Sequence, residues 1–127
     1  MNNVEKALIV IGCLSLTAAA MLSAYGFHGL DLSPEKKESW AWAVDMQYFH
    51  SLGLIVISIL SVRLGGSLLI RLAGGLMILG MLIFSGLIYA EALGAPESIG
   101  EIVPMGGSCF MLSWILVAVA AIRAKLP

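Results

Sequence analysis

The chain has 127 residues, of which 60% are hydrophobic and only 12% are charged, and its mean hydropathy is +0.99. Soluble domains are nearer half apolar and one quarter charged, so this is the composition of a membrane protein. Seven Lys and Arg against eight Asp and Glu leave a net charge of −1, which argues against nucleic acid as a partner. At this length the sequence predicts a single transmembrane domain over residues 1–127.

Four long apolar runs predict four membrane-spanning helices, at approximately residues 7–27, 43–62, 68–91 and 103–123. Each run is long enough to cross a hydrocarbon core of about 30 Å when helical residues rise about 1.5 Å each. The connection between the second and third helices is short, so these two helices are expected to be antiparallel neighbours. The predicted fold is an all-α, integral membrane four-helix transmembrane bundle.

The positions of the basic residues predict the orientation of this bundle. With the N-terminus in the cytoplasm, Lys36 and Lys37 lie outside, and the remaining five basic residues lie inside: Lys6, Arg63, Arg71, Arg123 and Lys125. Because short cytoplasmic segments carry an excess of Lys and Arg, the predicted topology is N-in and C-in.

The second helix is the most polar of the four. Ser33-Pro34-Glu35 predicts a helix start at the membrane surface that runs on into the span. Trp40, Trp42 and Tyr48 are typical of an interfacial aromatic belt. Further along, five polar residues fall on one face, which should face protein and not lipid: Gln47, His50, Ser51, Ser58 and Ser61.

Packing features are predicted for the third and fourth helices. Glycines in a membrane helix allow close helix packing, and helix 3 has four in its apolar run: Gly74, Gly75, Gly80 and Gly86. Ser85 and Tyr89 are one turn apart and should face protein. Trp114 falls near mid-membrane, where its indole N–H needs a partner on another helix.

A candidate ligand site is predicted at the outer rim. His28 and His50 occur in similar Phe-His-small-Leu tetrapeptides and are expected at one depth, at the outer ends of helices 1 and 2. The candidate binding residues are these histidines with Asp45, Glu91, Tyr48 and Tyr89, and the metal candidates are His28, His50 and Glu91. Such a group could hold a divalent metal or haem iron, or relay protons.

The residues also permit a simpler interpretation of this rim. No ligand spacing such as His-x-x-x-His is present, so both histidines could be interfacial groups bonded to neighbouring backbone or side chains. Glu91 could pair with His28, or lie in the headgroup region. The sequence identifies no cofactor, and it shows no ionisable residue at the expected mid-membrane, which disfavours a conduction path.

Several motifs resemble the YgdD-like family of small bacterial inner-membrane proteins, a family of unknown function. They are Gly26-Phe27-His28-Gly29-Leu30, Phe84-Ser85-Gly86-Leu87-Ile88-Tyr89, and Gly106-Gly107 followed by Trp114. Phe27 and Ser113 depart from the family pattern, which has a small residue and a Gly at these positions. The resemblance implies a four-span fold and a bacterial inner (cytoplasmic) membrane location, and it implies no activity.

Three functions are compatible with these observations. The first is a non-enzymatic accessory or structural protein that acts through helix–helix contacts, with the lipid bilayer and itself or a larger membrane complex as partners. The second is a ligand-, metal- or proton-handling protein that uses the outer rim. An enzyme ranks last, because no nucleophile lies near a base and no metal motif is visible.

Overall fold

The computed structural model describes residues 1–125, and every regular element in this range is helical. Helix α1 spans Asn3–Ala24 and continues into a π-helical turn, Tyr25–Gly29. Helices α2 and α3 span Pro34–Arg63 and Leu68–Ala92, and a short 3₁₀ helix, Glu97–Glu101, precedes α4 at Val103–Arg123. All four long helices are apolar enough to cross a membrane, so the four-span all-α fold is confirmed.

Helices α1 and α2 begin earlier than the predicted spans at residues 7 and 43. Helix α1 begins at Asn3 because Asn2 and Glu5 form a capping box. Helix α2 begins at Pro34 because the Ser33 side chain accepts the Lys36 N–H, and proline is well suited to the first helical position. Hydropathy detects only the part inside the lipid, whereas α2 is about 45 Å long at ~1.5 Å per residue.

Each helix packs against the next one in the chain: α1 against α2, α2 against α3, and α3 against α4. The core draws on all four helices, through Leu8, Leu54, Ile57, Ile70, Met77 and Phe110. Glycines allow the closest approaches, since a Cβ added at Gly12 of α1 would lie 2.7 Å from the Ser51 carbonyl oxygen of α2.

The glycines of α3 divide into two groups. Gly74 and Gly80 are buried, and an added Cβ would meet Leu8 and Phe110 respectively. A Cβ at Gly75 would meet nothing within 4 Å, and one at Gly86 only the Met81 carbonyl oxygen at 3.9 Å. The prediction that these glycines serve close packing is therefore confirmed within the bundle for Gly74 and Gly80, whereas Gly75 and Gly86 make no close contact within it.

Trp40 is an interior residue and not part of an aromatic belt, which corrects the sequence prediction. It is 0% exposed, packs against Gly26, and its indole N–H donates to the Leu22 carbonyl at 2.8 Å. The absence of a side chain at Gly26 makes room for the indole. Trp42 is 60% exposed, as a belt residue would be.

Candidate functional site

The polar stripe of α2 lies inside the bundle, as its spacing predicted. All five of its members are buried: Gln47, His50, Ser51, Ser58 and Ser61. Polar groups buried in lipid are costly unless they are hydrogen-bonded, so their partners determine what this stripe does.

Gln47 stands at the centre of a network that joins three helices. Its side-chain amide donates to the carbonyl oxygen and the hydroxyl of Ser15 in α1, at 3.0 and 3.2 Å. Its carbonyl oxygen accepts the Tyr89 hydroxyl of α3 at 2.7 Å, and Ser51 donates to the Ser15 hydroxyl at 2.6 Å. This network therefore fixes the register of α1 and α3 on α2.

Further bonds tie α3 to α2 near the same level. The Ser85 hydroxyl donates to the Ala43 carbonyl at 2.6 Å, and the Tyr89 ring lies 4.7 Å from the Trp40 ring between centroids. Ser85 is buried and Tyr89 is partly buried. Their predicted orientation towards protein is confirmed.

His50 joins α2 to α4. Its Nδ1 lies 2.8 Å from the Met46 carbonyl oxygen, and its Nε2 lies 3.1 Å from the indole nitrogen of Trp114. A carbonyl can only accept and an indole N–H can only donate, so Nδ1 carries the proton and Nε2 accepts. The ring also stacks on Phe110, with centroids 3.6 Å apart. The predicted partner for Trp114 is thus found, and it is His50.

The hydrogen bond between His50 and Trp114 leads to a testable prediction about the packing of α4 on α2. In a double-mutant cycle with His50→Phe and Trp114→Phe, the coupling free energy should be about 0.6–1.7 kcal/mol, the range for hydrogen bonds between membrane helices. Both changes keep an aromatic ring, so core volume is largely maintained. Unfolding in mixed detergent micelles by added sodium dodecyl sulfate, followed by circular dichroism, measures it. If the losses in unfolding free energy of the two single variants simply add in the double variant, the hydrogen bond between His50 and Trp114 is contradicted.

The two histidines do not lie at one depth, which corrects the prediction for the outer rim. Gly26, two residues before His28, packs against Trp40, whereas His50 is ten residues further along α2. At ~1.5 Å per residue this separates them by about 15 Å. The expectation was wrong because it placed the outer end of helix 2 near the start of the apolar run at Met46, whereas Trp40 is the residue that lies opposite the end of α1. His50 is consequently an ionisable residue within the span.

The other candidate ligand residues are dispersed as well. His28 and Asp45 are exposed, and Tyr48 and Glu91 are partly buried. Within residues 1–125, no group of three or more His, Cys, Asp or Glu side chains is placed to hold a metal ion. Both ring nitrogens of His50 are already engaged, so a metal there would have to displace Trp114 or the Met46 carbonyl. Of the six candidates, Tyr89 and His50 join interior hydrogen bonds.

Glu5 is a buried acid that the interpretation of the sequence missed. Its backbone N–H donates to the Asn2 side chain, and its carboxylate accepts the Asn2 N–H, both at 2.8 Å. The carboxylate also accepts the Ser61 hydroxyl at 3.0 Å, and the Glu5 carbonyl accepts the Ser58 hydroxyl at 2.8 Å. The signal was present, since a capping residue followed three positions later by Glu is the capping-box pattern.

These features define a class of protein. Four apolar helices, tied together by polar side chains that bond to one another in the interior, form a four-span α-helical integral membrane protein.

Comparison with known proteins identifies the family. Residues 22–107 match the family model described as protein of unknown function (DUF423). YwdK of Bacillus subtilis, named a UPF0382 membrane protein, is 36% identical over 120 residues, covering 93% of this chain and 98% of its own. The UPF0382 membrane protein of Haemophilus influenzae is 32% identical, covering 82% of this chain and 84% of its own. No solved structure matches significantly.

The chain belongs to the DUF423 family, and its relatives bear the name UPF0382 membrane proteins. This confirms that the protein is a small membrane protein of a family of unknown function. The relatives' names state a membrane protein and indicate no enzymatic activity.

Proposed function

We propose that this protein is a non-enzymatic accessory protein of the bacterial inner membrane, which acts through helix–helix contacts with a second copy of itself or with a larger membrane complex. The observation that carries the proposal is the outward face of α3. Five residues there are exposed and recur at intervals of four and three, and we call them the α3 seam: Leu68, Leu72, Gly75, Leu79 and Leu82.

The spacing and composition of the α3 seam favour a helix as its partner. Alternating steps of four and three are the a/d spacing of left-handed helix pairs, whose side chains interlock. Gly75 lies in the middle of the seam with open space around it, so another backbone can approach closely there.

The interior supports a structural role for the polar residues. Among the described residues 1–125, every buried side-chain nitrogen and oxygen has a hydrogen-bond partner. A catalytic site commonly holds an activated nucleophile within reach of a base. Here Gln47, Ser51, Ser85 and His50 instead bond to neighbouring helices, which is what a packing function requires.

The location and orientation belong to the same proposal. The five-to-two division of Lys and Arg supports an N-in, C-in topology. Relatives in Bacillus, Staphylococcus and Haemophilus support a bacterial cytoplasmic membrane. The motifs that resemble the YgdD-like family support the same location in a bacterial inner membrane.

The test is to replace Gly75 and measure association in a bilayer. Two copies of the chain, each carrying a different fluorophore, are reconstituted into the same liposomes, and energy transfer is followed as lipid is added. We expect Gly75→Leu to weaken association roughly tenfold or more, about 1.4 kcal/mol, because the leucine separates the helices. Gly107→Leu in α4, another position with nothing within 4 Å of an added Cβ, is the control and should leave energy transfer unchanged.

A second measurement tests whether the α3 seam contacts a protein other than a second copy of this chain. A photoreactive amino acid placed at Leu79 is activated in intact membranes. A discrete cross-linked protein band that Gly75→Leu removes would support a contact along the α3 seam. Cross-links to lipid alone, together with no energy transfer in liposomes, would contradict the proposal.

A further inference from the structure

A groove runs between α1 and α3 on the surface of the bundle. Both helices pack against α2 and not closely against each other, so a space of about 460 Å³ remains between them. Its walls extend from Ile11 to Leu22 on α1 and from Ile78 to Tyr89 on α3, with Gln47 of α2 at its base. Ile11 and Leu14 at its edge on α1 are exposed, so the groove opens towards the hydrocarbon of the bilayer.

The dimensions of the groove suit a single hydrocarbon chain. Each wall covers eleven residue steps, which is about 17 Å at ~1.5 Å per residue. The space of about 460 Å³ is spread over that length, so the groove is long and narrow. A helix with its side chains is about 10–12 Å across and would occupy roughly 1,300–1,900 Å³ over the same length, so a helix of another protein is too wide to fill the groove.

Water is a poor occupant of this groove. Buried water is retained where two to four polar groups can bond to it. The polar side chains on the walls are Ser15, Gln47, Ser85 and Tyr89, and all four already bond to each other or to main-chain carbonyls. The remaining surface is aliphatic or sulfur-containing, as at Ala18, Leu22 and Met81.

We propose that the α1–α3 groove is a lipid-binding site that holds one acyl chain of a membrane phospholipid. The chain lies between α1 and α3, with its free end towards Ile11 and Ile78. Its glycerol end lies beside Tyr89, close to the end of the bundle where Trp40 and the π-helical turn are found. The bound chain fills the space that these two helices leave and so supports α1, which otherwise packs mainly on α2.

Gly86 keeps the groove open. It lines the wall on α3, and the nearest atom to an added Cβ is the Met81 carbonyl oxygen at 3.9 Å, an ordinary van der Waals distance. A leucine at this position therefore projects into the groove without colliding with the fold. Gly107 is equally free of neighbours but lies on α4, outside the groove, and provides a matched control.

The experiment measures lipid that stays bound to the purified chain. The full chain is extracted in mild detergent, titrated with phosphatidylglycerol, and examined by native mass spectrometry. We expect the unmodified chain and Gly107→Leu to retain one lipid more tightly than any others. Gly86→Leu should weaken this binding roughly tenfold, because its side chain takes the place of several methylenes of the acyl chain. Circular dichroism shows whether each variant remains folded.

A second variant keeps the test decisive if Gly86→Leu does not fold. Ala18→Leu fills the same groove from the α1 side and should cause a similar loss. Equal lipid retention in the unmodified chain and in both groove variants would overturn the proposal. Equal loss in Gly107→Leu would also overturn it, because the lipid would then be bound without regard to the groove. A change in self-association without lipid loss would identify a second copy of the chain as the occupant and overturn it too.

Discussion

Gly106→Ala is expected to destabilise the protein by about 2–3 kcal/mol, whereas Gly107→Ala, one residue further on, should be neutral or slightly stabilising. A Cβ at Gly106 would lie 2.5 Å from the backbone nitrogen of Phe84 and 3.0 Å from the Gly80 carbonyl oxygen, so α3 and α4 must separate. At Gly107 nothing lies within 4 Å, and alanine favours the helix by up to about 1 kcal/mol.

The two alanine variants differ by the position of one methyl group, so composition and hydrophobicity are identical. Detergent unfolding with sodium dodecyl sulfate, followed by circular dichroism, gives the free-energy difference. Equal stability of the two variants would mean that α3 and α4 are not packed along Gly80 and Gly106. A loss at Gly107 alone would place the face of α4 that carries Gly107 against α3.

Trp40→Ala should have a still larger effect, about 3–5 kcal/mol, because it removes a fully buried indole and leaves a cavity against Gly26. It also leaves the Leu22 carbonyl without the indole N–H that it accepts. The matched control is Trp42→Ala, which removes the same atoms from a residue that is 60% exposed and should change stability by only about 0.5 kcal/mol.

The same unfolding experiment distinguishes these two tryptophans. Since Trp40 anchors the end of α1 to α2, its loss should also increase proteolysis in the π-helical turn Tyr25–Gly29 and the following linker. Similar losses for Trp40→Ala and Trp42→Ala would show that both residues act at the membrane surface. That outcome would restore the aromatic belt predicted from the sequence.

Much of the architecture was accessible from the sequence because lipid imposes strong constraints. A sequence with four long apolar runs can adopt few structures in a membrane other than four spanning helices. The same constraint identified the buried polar face of α2 and the need of Trp114 for a partner, since neither can be left unsatisfied in hydrocarbon. In these cases the residue type and its position along the helix were sufficient.

The depth of particular side chains in the membrane, and the partners they contact, could not be predicted from the sequence. His50 was predicted at the outer rim because the apolar run begins near Met46, but the register of α2 is set by contacts such as Trp40 with Gly26 and Gln47 with Ser15. These contacts link residues far apart in the chain, and no local pattern encodes them. The same holds for the α1–α3 groove, which exists because two helices both pack on a third.

The order of packing has a consequence for how the protein is made. From α2 onwards, each helix packs against the one that precedes it in the chain. During synthesis, every new segment that leaves the ribosome and enters the bilayer therefore finds its neighbour already there. The polar residues of α2 can bond to α1 as soon as α2 is inserted, and those of α3 can then bond to α2. Contacts between neighbours in sequence also form quickly, so assembly can keep pace with translation.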